Sequence, residues 1–196
     1  FSDECYEQLT YDIDYVSTAA LTNDYSRILT FQSCSKTYAM TGWRIGYTAG
    51  DQRVVKAMSK LQGQSTSCPN SIAQVAAIEA LNGDQSEVAN MRKAFNIRRK
   101  LIVERLNSIN NVTCEMPGGA FYVFPNFDEY IGKSLNNNII DSATEITMSL
   151  LEEKHVVSVA GDSFGSPNNI RFSYAASEKD INDAISALEQ ILNKIK

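Results

Sequence analysis

The sequence predicts an α/β fold, and three observations carry that expectation. Short apolar runs of strand character alternate with longer segments whose apolar residues recur at helical spacing. Start signals stand where the helical segments begin, at Asp51, at Pro69-Asn70-Ser71 and at Ser177. The chain of 196 residues is 43% hydrophobic and 21% charged, enough apolar surface for one large domain or two small ones.

Ile28 to Ser33 is a short apolar run that reads as a strand, and Trp43 to Thr48 reads as another. Asp51 caps a helix through about Leu61, striped by Val54, Val55, Met58 and Leu61. A second helix runs from Ile72 to Leu81 and stops at Asn82-Gly83. A long helix follows, from about Ser86 to Ile109, with Val88, Met91, Phe95, Ile102, Val103 and Leu106 at helical spacing. Its basic residues Arg92, Lys93, Arg98, Arg99 and Lys100 read as the solvated face of an amphipathic helix. Val112 to Glu115 and Ala120 to Pro125 then read as strands around the turn Pro117-Gly118-Gly119. Asn136-Asn137-Asn138 marks an exposed loop, Asp141 to Lys154 a helix, and Val156 to Val159 and Ile170 to Tyr174 two strands. The signal Ser177-Glu178-Lys179-Asp180 opens a last helix to about Lys194, striped by Ile181, Ala184, Ile185, Leu188, Ile191 and Leu192.

Composition excludes several functions. A formal net charge of −5 and a pI near 5.0 give no footprint for nucleic acid. No apolar run approaches the ~20 residues of a membrane span. Four cysteines are scattered at 5, 34, 68 and 114, and one histidine accompanies them, which argues against a Cys/His metal site. Dispersed cysteines of this kind read as free thiols in a reducing cytoplasm. His155 ends a helix and reads as a partner of the helix dipole.

The most informative segment is Ser33-Cys34-Ser35-Lys36 through Thr41-Gly42-Trp43-Arg44-Ile45-Gly46. Lys36 follows the hydroxyls of Ser33 and Ser35, and Arg44 comes eight residues later. A lysine that forms a Schiff base needs a packed setting. A phosphorylated ligand needs hydroxyl donors and a guanidinium. All three group types stand within this one segment.

The segment closely resembles the cofactor-lysine region of the class I aminotransferases of pyridoxal-phosphate (PLP) fold type I. The shared pattern is S-x-[ST]-K with an eight-residue step to the arginine of G-[WFY]-R-x-G. The resemblance implies that Lys36 carries the cofactor and acts as general acid/base, and that Ser33 and Arg44 bind its phosphate, with Ser35 a further candidate. Asp3 and Tyr6 resemble the family's D-x-x-Y, which implies contacts to the pyridine nitrogen and the ring hydroxyl. Period-two alternation then turns Glu4 to the other face of that strand. Arg171, in Asn169-Ile170-Arg171-Phe172-Ser173-Tyr174, resembles the arginine that grips the substrate α-carboxylate. Smaller likenesses agree: Pro117-Gly118-Gly119-Ala120-Phe121-Tyr122, the loop Gly161 to Gly165 before the arginine strand, and Gln64 to Pro69, which resembles the loop reaching the neighbouring subunit.

Full-length members of the family are about twice as long, so the resemblance implies the C-terminal half of a longer protein. Residues 1–85 would be the end of the large cofactor-binding domain and 86–196 a smaller α+β domain entered through the long helix. The implied function is transfer of an amino group between an amino acid and a 2-oxo acid by a cytoplasmic homodimer, with this half alone inactive. The wording of the motifs is most like the bacterial aspartate and prephenate aminotransferases, which favours aspartate with 2-oxoglutarate. No Lys or Arg lies between Lys60 and Arg92, so either a cation for a distal carboxylate comes from the other half of the protein or the substrate is not dicarboxylic; in the resembled subgroup a lysine of the first half does this work. Two alternatives share the motifs: a C–S lyase or ACC synthase of the same fold, and a regulator that senses ligand without turnover.

Overall fold

In the computed structural model, which describes residues 1–196, the chain divides into two compact units, Phe1–Arg92 and Lys93–Lys196. In the first unit, β1 (Ser2–Asp3) pairs in parallel with β2 (Leu29–Ser33), with Ser2 opposite Thr30 and Asp3 opposite Phe31. On its other edge β2 pairs antiparallel with β3 (Gly46–Gly50) along its whole length, from Leu29 opposite Gly50 to Ser33 opposite Gly46. The strand expected from Trp43 thus starts at Gly46. Thr41–Trp43 forms a 3-10 turn instead, and Arg44 is left-handed at φ 54°. The backbone must complete this reversal before it can run beside β2. Gly46 permits the close approach, because a Cβ there would lie 2.6 Å from the Gln32 carbonyl oxygen.

A short helix, α1 (Cys34–Thr37), leaves β2 directly. Helices α2 (Gln52–Ser65) and α3 (Ser71–Asn82) follow, capped by the side chains of Asp51 and Asn70. Asn70 Oδ1 accepts from the amides of Ile72 at 2.8 Å and Ala73 at 3.2 Å. The packing of α3 was not legible in its periodicity. Its small residues Ala73 and Ala77 are buried, Ala77 in a cluster with Cys34 and Met40, while Ile72, Val75 and Ile78 are exposed. A helix apolar on more than one side carries no pattern to say which side its own chain covers. The expected stripe of α2 is likewise uncovered: Val54, Met58 and Leu61 are exposed and the helix has no buried residue.

Helix α4 (Ser86–Asn107) buries Phe95, Ile102, Val103 and Leu106 as its spacing predicted. One basic residue departs from expectation: Arg99 is 1% exposed, and its Nη1 donates to the Pro117 carbonyl at 2.7 Å. Arg99 falls one turn after Phe95 and one before Ile102 and Val103, on the core face, and burial there requires a partner. Helix α5 (Ala143–Lys154) opens on a capping box of Ser142 and Glu145 and closes on a left-handed His155, whose amide donates to the carbonyls of Leu150 and Leu151. Helix α6 (Glu178–Leu192) is capped by Ser177 and buries Ile181, Ile185, Leu188, Ile191 and Leu192.

The sheet of this unit has β8 (Ile170–Ser173) in the middle, antiparallel to β4 (Tyr122–Val123) on one side and β7 (Val159–Ala160) on the other. Ile170 and Phe172 are buried, so Arg171 takes the opposite face. The strand expected at Val112–Glu115 is a single bridge between Thr113 and Asn126, and the one expected at Val156–Val159 pairs only at Val159 and Ala160. Pairing length is set by the neighbouring strand, which propensity does not register. The asparagine loop is the turn of a hairpin, β5 (Ser134–Leu135) with β6 (Asn138–Ile139), and Asn136 and Asn137 supply its two positive φ angles of 52° and 67°.

Candidate active site

The carboxyl end of β2, the amino end of β3 and the end of β1 bring six of the expected site residues into one region of the first unit. Ser33 ends β2 and caps α1, its Oγ accepting from the Ser35 amide at 3.1 Å. The Cys34 amide donates to the Ile45 carbonyl at 3.3 Å, which holds the Arg44–Ile45 stretch beside Ser33. Arg44 Nη1 donates to the Thr41 carbonyl at 3.0 Å, and Thr41 Oγ1 donates to the Ser35 carbonyl at 3.1 Å. Ser33, Ser35 and Arg44 are thereby tied to a single turn, Ser35 through its backbone amide and carbonyl. Thr41 is a linking residue that no motif in the sequence singled out.

Lys36 lies in the last turn of α1, half-buried, with Nζ 6.0 Å from the centre of the Tyr6 ring. Asp3 is exposed, and its Oδ1 accepts from the Cys5 amide at 3.2 Å. The Cys5 thiol is pushed up by burial first and then by Asp3, while the Lys36 charge pulls it down. Asp3 and Lys36 therefore both act on one sulfur. The phenol of Tyr6 is the group whose distance to the amine is fixed here, and Asp3 lies three residues before it at the end of β1.

Glu4 points away from Asp3, as alternation predicted, and is 3% exposed. Its Oε1 accepts from Ser2 Oγ at 2.9 Å, Ser17 Oγ at 3.0 Å and the Thr18 amide at 3.1 Å. Burial acts to raise its pKa, but these bonds and one from Tyr15 outweigh it and hold the carboxyl below its ordinary value of 4.5. The same contact, with burial as the larger cause, pushes the Tyr15 phenol up to about 12. Glu4 thus staples residues 15–18 to the strand that carries Asp3.

A depressed carboxylate stabilises the fold above its unfolded pKa and loses that contribution as pH falls through the folded one. A raised phenol does the reverse, its contribution being lost as pH climbs from its ordinary 10.0 toward 12. Thermal melting in acid should therefore show a steeper loss of stability in the native protein than in Glu4→Gln. Equal acid slopes would remove Glu4 from this role.

Arg171 belongs to the second unit. It is half-buried on the central strand β8, opposite Val159 in register. Its Cζ lies over two aromatic rings, Tyr122 at 4.5 Å and Phe164 at 4.7 Å. No motif marks either ring as part of the site, since only the tertiary fold brings them to the arginine. The turn Gly161–Phe164 that carries Phe164 is closed tightly: a Cβ on Gly161 would fall 2.0 Å from the Ser166 carbonyl oxygen.

Comparison with known proteins bears on both halves of this arrangement. The family model for aminotransferase class I and II matches residues 1–188. The chain is 42% identical over 198 residues to a probable aspartate/prephenate aminotransferase of Rhizobium leguminosarum, covering 100% of this chain and 50% of that protein. It is 44% identical over 191 residues to the aspartate/prephenate aminotransferase of Cereibacter sphaeroides, covering 96% and 48%. Among solved structures, the aspartate aminotransferase of Rhizobium meliloti superimposes with a TM-score of 0.93 at 39% identity, covering 98% of this chain and 49% of that one. An aromatic aminotransferase from Pyrococcus horikoshii superimposes at 0.88 with 33% identity. The chain spans about half the length of the curated relatives it matches.

Proposed function

This chain belongs to the class I and II aminotransferases, and from that premise we propose that it is the lysine-bearing, C-terminal half of a PLP-dependent aminotransferase acting on aspartate and 2-oxoglutarate. The observation that carries the reading is the cluster about Lys36. Ser33, Ser35 and Arg44 are tied to the turn that follows Lys36, the Tyr6 ring lies 6.0 Å from its amine, and Asp3 ends the strand paired with β2.

The donor set fits the cofactor's polar groups one by one. Lys36 offers an amine to the aldehyde carbon. Ser33, Ser35 and Arg44 offer two hydroxyls and a cation to the phosphate. Asp3 offers a carboxylate to the pyridine nitrogen and Tyr6 a phenol to the ring hydroxyl. When bound, the cofactor supplies the electron sink that makes the substrate α-carbon acidic. Lys36 Nζ moves the proton at that α-carbon. With the cofactor bound, the Asp3 carboxylate would favour the protonated ring nitrogen. Arg171, in the second unit, would grip the α-carboxylate through its planar fork.

We assign residues 1–85 to the large domain and 86–196 to the small one, and infer a homodimer in the cytoplasm for the whole protein. The names of the bacterial relatives support aspartate as the amino donor. With no Lys or Arg between Lys60 and Arg92, the cation for the distal carboxylate comes from outside that stretch. The test is a donor panel on the protein bearing this chain: aspartate, alanine, tyrosine and kynurenine, each with 2-oxoglutarate. Fastest turnover of aspartate is expected. Preference for alanine or an aromatic donor overturns the substrate and leaves the reaction; absence of amino transfer from every donor overturns the reaction.

A further inference from the structure

The guanidinium of Arg171 is flanked from both sides of its strand. Tyr122 comes from β4, the neighbour on one edge of β8, and Phe164 ends the turn that follows β7, the neighbour on the other. The two rings lie 4.5 and 4.7 Å from Cζ. Phe164 is braced in turn by Phe124, edge-on at 89° with centroids 5.8 Å apart. The side-chain ion pairs of this unit, Lys179 with Asp183 and Lys194 with Glu153, do not involve Arg171.

The chemistry of the group decides what such a pair of rings does. A guanidinium carries all of its N–H donors in its own plane and presents its faces to π-systems. A ring over a face fixes the orientation of that plane and occupies no donor. A carboxylate held in two parallel N–H···O bonds needs that orientation fixed.

We propose that Tyr122 and Phe164 are positioning residues that clamp Arg171 with its in-plane donors available to the substrate α-carboxylate. The proposal rests on Arg171 being the carboxylate-binding residue. The clamp lowers the rotamer freedom that an arginine otherwise loses on binding, so its effect falls on substrate affinity. A reaction step after binding gains nothing further from it.

The experiment compares an α-amino acid with its α-carboxamide, which keeps the side chain and lacks the carboxylate charge. Phe164 is 48% exposed, so Phe164→Leu removes a ring face without opening a core cavity. In the protein bearing this chain, Phe164→Leu and Tyr122→Leu are expected to raise KM for the acid about tenfold, as one desolvated cation–π face allows. The carboxamide KM and both kcat values should hold, and Phe164→Tyr should recover the acid. Calorimetric titration with succinate should show the same loss without turnover. Arg171→Ala separates the two levels. If it leaves the acid-to-carboxamide ratio intact, the assignment of Arg171 itself has failed. If it collapses the ratio while both leucine variants keep it, Arg171 stands and the clamp is overturned. A leucine variant that loses both substrates, kcat and melting temperature together also overturns it, since that is a merely structural role.

Discussion

Replacing Lys36 with alanine is expected to abolish amino transfer in the protein bearing this chain, a loss of about 10⁴-fold or more because proton transfer and the cofactor link fail together. The first unit holds two other lysines, Lys56 and Lys60, both exposed on α2. Neither stands beside a hydroxyl pair and a guanidinium tied to one turn, as Lys36 does. Borohydride reduction of the cofactor-loaded protein followed by peptide mapping should therefore label the peptide that contains Lys36. Label on any other lysine would falsify the assignment whatever the activity of the alanine variant.

Arg171→Lys is expected to raise KM for the amino acid about 10- to 100-fold, the worth of one to two charge-assisted hydrogen bonds, with cofactor binding unchanged. Lysine keeps the positive charge and loses the planar fork. An ammonium between Tyr122 and Phe164 would still meet two π-faces, so charge and stacking are held roughly constant while the bidentate geometry is removed. Cofactor titration by absorbance and steady-state kinetics read the two affinities separately. If the cofactor is lost and the substrate retained, Arg171 belongs to the cofactor's site.

Much of the fold was legible because local signals and tertiary contacts agree. Asp51 and Ser177 cap α2 and α6, and the stripe of Ile181, Ile185, Leu188, Ile191 and Leu192 is buried as its spacing requires. The failures share one cause. Val112–Glu115 has the propensity of a strand and finds one bridging residue, because the neighbouring chain lies alongside it only at Asn126. Arg99 has the composition of a solvated face and is buried, because position on the helix outranks residue type once the Pro117 carbonyl is there to accept its hydrogen bond. In α3 the alanines were drawn inward and the isoleucines left outside, since a helix apolar on several sides does not name its partner.

The same division holds at the site. Residue types and their spacing already hold the chemical inventory: an amine at Lys36, hydroxyls at Ser33 and Ser35, guanidinium groups at Arg44 and Arg171, and the Asp3–Tyr6 pair. Those residues sit at spacings that a motif records, because each is placed by the strand or turn that carries it. Tertiary structure alone decided how they are held. Thr41 links Ser35 to Arg44, Glu4 staples residues 15–18 to the strand of Asp3, and one ring from a strand and one from a turn meet over Arg171. Each of those supports acts across a gap in the chain that only folding closes. Hydrogen bonds and ring contacts of this kind depend on distances of a few ångströms in space, and spacing along a sequence carries no record of them.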